Sequence, residues 1–183
     1  MIIIIFKSMR MIRTNLSFTF ISMAFSVASI FAQGDLEIMR QLIFEKTKAL
    51  RAEKGLHVLE RLDSLMDLAQ FHSENMVKHD FYDHLDHLGL NPTQRAEKFK
   101  VKAWVKKGNQ FTGIAENIAQ IPWFENVRGC GDTRSEEDLA QCMVTGWKNS
   151  PPHYNNILGD YTYLGVGLFF DKNGIGYGTQ NFR

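Results

Sequence analysis

Three groups of side chains in the 183-residue sequence have types and spacings suited to chemistry. The first is Ser150-Pro151-Pro152-His153. Serine followed by proline reads as an N-cap and first-turn pair, because the hydroxyl accepts an orphan amide and proline sits where its missing N–H does no harm. His153 then falls in the first turn of a short helix, whose dipole disfavours imidazolium. The ring is expected to be neutral, the form that binds a metal or accepts a proton. On its own such a tetrapeptide is also what a surface turn looks like. The second group is His79-Asp80-Phe81-Tyr82-Asp83-His84-Leu85-Asp86-His87-Leu88-Gly89, with three histidines and three aspartates. That run can coordinate a cation and equally has the composition of a solvated loop. The third is Glu116 within Thr112–Ala119, where alternation puts the carboxylate on the same face as Ile114 and Ile118. A carboxylate on an apolar face must be ion-paired, hydrogen-bonded or bound to a cation.

The surrounding sequence supplies elements to position these groups. Ile38, Leu42, Ile43 and Leu50 recur at helical spacing between Asp35 and about Lys54, and Gly55 marks a stop. A second helix, from about Arg61 to Lys78, carries Leu65, Ala69, His72 and Met76 on one stripe; His72 there reads as a hydrogen-bonded core residue. Pro92 opens a short helix whose Arg95 is expected to pair with a carboxylate of the preceding loop, and the basic segment Val101 to Phe111, with Trp104, reads as an exposed connection. Glu136 to Lys148 form a helix with Leu139, Cys142, Met143 and Trp147 inward. Tyr161 to Phe170 and the run from Ile175 alternate about an Asn173-Gly174 turn, the signature of a hairpin. Glycines 165, 167, 176 and 178 are expected to clear one face for a helix or ligand.

Composition narrows the setting. Residues 1 to 32 contain Lys7, Arg10 and Arg13, no acidic residue, and an apolar run from Leu16, LSFTFISMAFSVASIFA. This is the pattern of a secretory signal peptide, with cleavage expected after Ala32 and a retained anchor as the alternative. The intact mass of exported protein checks it: loss of residues 1 to 32 is the expected result, and a mass that keeps the apolar run indicates an anchor. Cleavage leaves 18 Lys and Arg against 20 Asp and Glu, a balance that does not suggest a nucleic-acid partner. Cys130 and Cys142 flank GDTRSEEDLAQ and, in an exported chain, are expected to form a disulfide contributing about 2 to 4 kcal/mol, free thiols being the alternative.

The order of four motifs, FYDHLDHLG followed by arginine, GIAENIA, WKNSPPHYNNIL and YLGVGLFF…GIGYGTQNF, resembles the CAP superfamily of cysteine-rich secretory proteins, venom antigens and pathogenesis-related proteins, and in particular its compact bacterial members. The resemblance covers residues 35 to 183. It implies an α+β fold, an α-β-α sandwich with a small antiparallel sheet between helices. It also implies a cleft in which His84, Glu116 and His153 converge and in which a divalent cation such as zinc binds. The family's fuller site has a second glutamate where this chain has Ser150, which lowers the expected cation affinity.

On this basis the chain reads as a secreted or periplasmic, non-enzymatic CAP domain that binds a lipid-like ligand, a cell-envelope polymer or a protein, with no transmembrane segment once the leader is removed. A metal-dependent hydrolase using the same cleft is one alternative, since a bound cation lowers the pKa of water and a carboxylate accepts the proton. A purely structural module is another. A serine mechanism is disfavoured if the Ser150 hydroxyl is committed to capping.

Overall fold

A computed structural model describes residues 21–183, and side chains from Leu36 onward except that of Lys107. Of the leader expected over residues 1 to 32, residues 1–20 lie outside the described part. Among the described residues the elements run α1 (Ile21–Ala52), β1 (Glu60–Arg61), α2 (Asp63–Lys78), α3 (Pro92–Lys98), β2 (Val105–Lys107), β3 (Gln110–Thr112), β4 (Ala115–Pro122), α4 (Glu136–Lys148), α5 (Pro151–Leu158), β5 (Tyr163–Phe170) and β6 (Ile175–Phe182). The first helix begins well before Asp35. It ends where Gly55, at φ +66°, lets the Gly55 and Leu56 amides close back on the carbonyls of Ala52 and Arg51.

The main sheet has the order β1-β5-β6-β4, antiparallel except where the two-residue β1 lies parallel to β5. Its two faces are covered by helices. Leu164, Val166, Leu168 and Phe182 pack with Ile43 and Phe44 of α1 and with Leu139, Met143 and Trp147 of α4 in the largest core cluster. Trp147 is fully buried, and its Nε1 donates to the Ile118 carbonyl at 3.0 Å, so the indole's one polar atom is satisfied. The opposite face receives α2. This is the α-β-α sandwich expected from the motif order.

Pairing register corrects the expectation about the glycines. Gly165 and Gly167 lie across from Asn181 and Thr179 and face α2, whose backbone comes into contact there. Gly176 and Gly178 lie across from Phe170 and Leu168, and Gly178 faces Met143 of α4. The two glycine pairs therefore thin opposite faces of the sheet.

A second correction concerns residues 101 to 111. Val101 and Ala103 are buried with Leu65, Leu68, Ala96 and Ile114 in a separate cluster, and β2 and β3 form a two-stranded ribbon, so the segment is an ordered edge of the domain. Cys130 and Cys142 are joined in a disulfide with Cα atoms 5.4 Å apart, tying the loop before α4 to that helix. Closing a loop of this length contributes about 3 kcal/mol through the unfolded state.

Candidate functional site

Glu116 lies at the start of β4 on the α2 face, as alternation required, and its side chain is 1% exposed. Strand pairing sets Asn181 directly across from it, and Asn181 Nδ2 donates to Oε2 at 2.9 Å. The Arg95 guanidinium donates to the same oxygen. Oε1 is 3.0 Å from His84 Nδ1 and 3.6 Å from His72 Nε2. Burial alone pushes the Glu116 carboxyl up, but His84, Arg95, His72 and Asn181 outweigh it and hold the group below the ordinary carboxylate range. The paired alternative for this carboxylate is thus the arrangement observed.

Arg95 corrects the expectation that it pairs with a carboxylate of the preceding loop. It reaches Glu116 of β4 instead, and it grips the loop through backbone, donating to the carbonyls of His84 at 2.7 Å and Leu90 at 2.8 Å. Asn91 and Gln94 form a capping box that fixes the start of α3 and hence the position of Arg95. The acidic and imidazole groups of residues 79 to 89 do not converge. His79 and His87 stack on each other, Asp86 turns inward to accept from the amides of Leu88 and Leu90, and only His84 reaches Glu116. That contact raises the His84 pKa, since the carboxylate accepts a hydrogen bond and stabilises the imidazolium against the opposing effect of burial.

His72 is a buried core residue, as its stripe suggested, yet it belongs to the site as well. Its Nε2 donates to the Asp83 carbonyl at 3.0 Å, which ties α2 to the loop and leaves Nδ1 without a partner. Burial is the main cause that pulls its pKa below the ordinary histidine value, so the ring is neutral.

His153 reaches the same region from the start of α5. Asn117 Nδ2 donates to the His153 carbonyl at 3.1 Å, and Asn156 Nδ2 donates to the Glu116 carbonyl at 3.2 Å, so two asparagines stitch the beginning of α5 to β4. Ser150 does not cap α5 by side chain. A capping hydroxyl accepts from the amides of the second and third helical residues; Pro152 has no N–H to donate, and the hydroxyl turns to His153 Nδ1 at 2.8 Å. Burial first, and then the nearby His84, lower the His153 pKa, in line with the neutral ring expected.

Among the described residues no three His, Cys, Asp or Glu side chains are grouped to hold a metal ion. The reason is visible at Glu116, whose two oxygens are taken by three hydrogen-bonding partners, His84, Arg95 and Asn181, one of them a guanidinium. The two imidazoles differ from it. Each has Nδ1 engaged, by Glu116 for His84 and by Ser150 for His153, and neither Nε2 has a hydrogen-bond partner among the described residues. An imidazole oriented through one nitrogen and open at the other is the usual arrangement of a metal-ligating histidine. Sequence reasoning missed Asn181 and Asn117, for which the available signal was that buried asparagines in β strands must find partners, and Asn156 of α5, for which there was none.

The sequence matches the cysteine-rich secretory protein family, CAP, over residues 44–182. Two curated relatives come from Bacillus subtilis strain 168. The uncharacterized membrane protein YlbC is 30% identical over 141 residues, 76% of this chain and 33% of YlbC. The uncharacterized protein YkwD is 27% identical over 137 residues, 74% of this chain and 44% of YkwD. The chain thus spans less than half the length of either relative. A crystal structure of an extracellular protein containing an SCP domain from Bacillus anthracis superposes with a TM-score of 0.58 at 26% identity, covering 79% of this chain and 39% of that one. An outer surface protein of Borrelia burgdorferi shares the fold with a TM-score of 0.60 at 18% identity, over 79% of this chain and 90% of its own. With the four motifs, the sandwich and the match over residues 44–182 in agreement, the chain belongs to the CAP family of cysteine-rich secretory proteins.

Proposed function

We propose that this chain is an exported CAP-domain protein that acts by binding a lipid-like ligand beside His84, and that it does no chemistry on that ligand. The observation that carries the reading is the state of Glu116. A general base needs a free lone pair and a pKa near the working pH. Glu116 has both oxygens engaged and a carboxyl held below the ordinary range, so it is a poor proton acceptor and a good clamp. Ser150 does contact His153, but Pro151 and Pro152 remove two of the amides that would otherwise line an oxyanion hole at that helix start. On the loop around half-exposed His84, Tyr82, Leu85 and Leu88 present large apolar side chains that are 46%, 49% and 61% exposed. Apolar groups surrounding a few placed polar atoms are the usual lining of a small-molecule site.

If a divalent cation occupies this site, His84 and His153 would hold it through Nε2, with Glu116 and Ser150 orienting the two rings. It would supply a positive anchor for an anionic head group.

Titration of isotope-labelled protein, followed by NMR, tests both parts. Palmitate is expected to shift Tyr82, His84, Leu85 and Leu88 together, and Leu85→Asp with Leu88→Asp to weaken binding at least tenfold. Zinc chloride is expected to shift His84 and His153, with the effect lost in His153→Ala. Palmitate shifts confined to other surfaces would remove the ligand assignment, and zinc shifts unchanged by His153→Ala would remove the cation assignment.

A further inference from the structure

Residues 100 to 106, Lys-Val-Lys-Ala-Trp-Val-Lys, alternate strictly in exposure. Val101 and Ala103 are buried and Val105 is half-buried, whereas Lys100, Lys102, Trp104 and Lys106 point outward. The ribbon register then adds one more residue to the outer face, because Phe111 of β3 lies directly across from Lys106 of β2. Trp104 and Phe111 are 50% and 64% exposed. From Lys98 to Thr112 the chain carries five lysines and no acidic residue. Lys100, Lys102 and Lys106 form no ion pair among the described residues, and Trp104 Nε1 is fixed by Glu97 Oε1 at 3.1 Å, which orients the indole at the surface.

This concentration of charge contrasts with the rest of the chain, which is acidic once it is set aside, since the whole carries a formal net charge of only +1. An exposed tryptophan and phenylalanine share this face with lysines that no carboxylate among the described residues pairs. Such a set matches an anionic bilayer surface on two counts: lysines attract the head groups, and aromatic rings settle at the interface beneath them. A soluble polyanion would satisfy the lysines and leave Phe111 with nothing apolar to enter. We propose that the outer face formed by Lys100, Lys102, Trp104, Lys106 and Phe111 docks the domain on an anionic lipid surface. This surface is separate from the contacts of His84 and Glu116, so it stands whether or not a ligand binds there.

Sedimentation of the full chain with vesicles of phosphatidylcholine and phosphatidylglycerol, against phosphatidylcholine alone, tests the proposal. The apolar run from Leu16 contributes to both, so the strip is read from the excess on anionic vesicles. Lys102→Gln with Lys106→Gln is expected to cut that excess affinity about 25-fold, roughly fivefold for each lysine near the surface, whereas Lys102→Arg with Lys106→Arg retains it. Phe111→Ser, alone or with Trp104→Ser, is expected to weaken it at least tenfold. Brominated phosphatidylglycerol should quench a fluorescence component that is missing in Trp104→Phe. An excess unchanged by the glutamine pair overturns the proposal, as does the absence of any excess. So does heparin binding that depends on the lysines while Phe111→Ser leaves vesicle binding intact, since the strip would then serve a soluble polyanion.

Discussion

Replacing Arg95 with methionine is expected to cost about 3 to 5 kcal/mol of folding stability, the usual penalty for leaving one partner of a buried ion pair behind. The guanidinium is 1% exposed and makes three attachments: to Glu116 Oε2, and to the carbonyls of His84 and Leu90. Methionine fills similar volume, so the loss isolates the polar contacts from packing. Glu116 would keep Asn181 and His84 but lose the one permanent cation against it. Adding Glu116→Gln to Arg95→Met removes the stranded charge and is expected to recover about 1 to 3 kcal/mol, the desolvation cost of a buried unsatisfied group. Urea unfolding of the three proteins supplies the comparison.

The parent and Arg95→Met should differ in the sign of the Glu116 contribution to their pH dependence. In the parent, the Glu116 carboxyl is held below its ordinary value, so its contribution to stability is present above about pH 4.5 and is lost as pH falls through the lower folded value. His84 runs the other way. Its raised folded pKa contributes stability that is fully present below about pH 6.5 and is lost as pH rises through the folded value. In Arg95→Met, burial becomes the dominant influence on Glu116 and its carboxyl is expected to rise, so that acidification from neutral pH stabilises the variant relative to the parent. A loss below about 1 kcal/mol, with parallel pH profiles, would mean that Arg95 does not hold this carboxylate in solution.

What the sequence made legible is what depends on local spacing. Period-two alternation placed Glu116 on the face of Ile114 and Ile118, and the inward stripe of Leu139, Cys142, Met143 and Trp147 marked α4 at Glu136–Lys148. Choice of partner is not local. Nothing in GIAENIA says that Asn181 will lie across from Glu116, because that follows from the pairing of β4 with β6. Nor does it say that Arg95 will reach past three nearby aspartates to a strand. Ser150 was misread for a chemical reason: a capping hydroxyl needs an amide to accept from, and the second proline removes one of the two that cap geometry offers. In residues 101 to 111 the alternation is present, but Val101 and Ala103 are small apolar residues set among exposed lysines, and their burial depends on the non-local contact with Leu65, Leu68 and Ile114. The faces of the glycines required the register of the last hairpin, in which Phe170 pairs with Gly176 and so sets odd residues of one strand across from odd residues of the other.

That register leads to the second large effect. Gly165→Ala and Gly167→Ala are each expected to destabilise by about 3 kcal/mol or more, at the upper end of overpacking costs. Alanine is intrinsically better than glycine in a strand by about 0.5 to 1 kcal/mol, so any net loss must come from contact. At Gly165 an added methyl would overlap the Leu65 carbonyl and Cβ, and at Gly167 the Ala69 carbonyl and the Gln70 amide. These are backbone atoms of α2 and a Cβ fixed by that backbone, none of which a change of rotamer can move. Relief requires lifting the helix off the sheet, which would also separate Ser73 from Thr179, now 2.9 Å apart, and loosen His72 beside Glu116. Gly178 is the control on the other face. There the added methyl meets the sulfur and terminal carbon of Met143, the mobile end of a flexible side chain. Gly178→Ala is expected to cost less than about 1.5 kcal/mol, and Met143→Leu in the same chain to change that cost, whereas no single side-chain substitution on α2 should rescue Gly165→Ala. Melting of the glycine variants measures the contrast. Equal costs at Gly165 and Gly178 would show that α2 is free to move, and that the close seat of its backbone on β5 does not hold His72 in place.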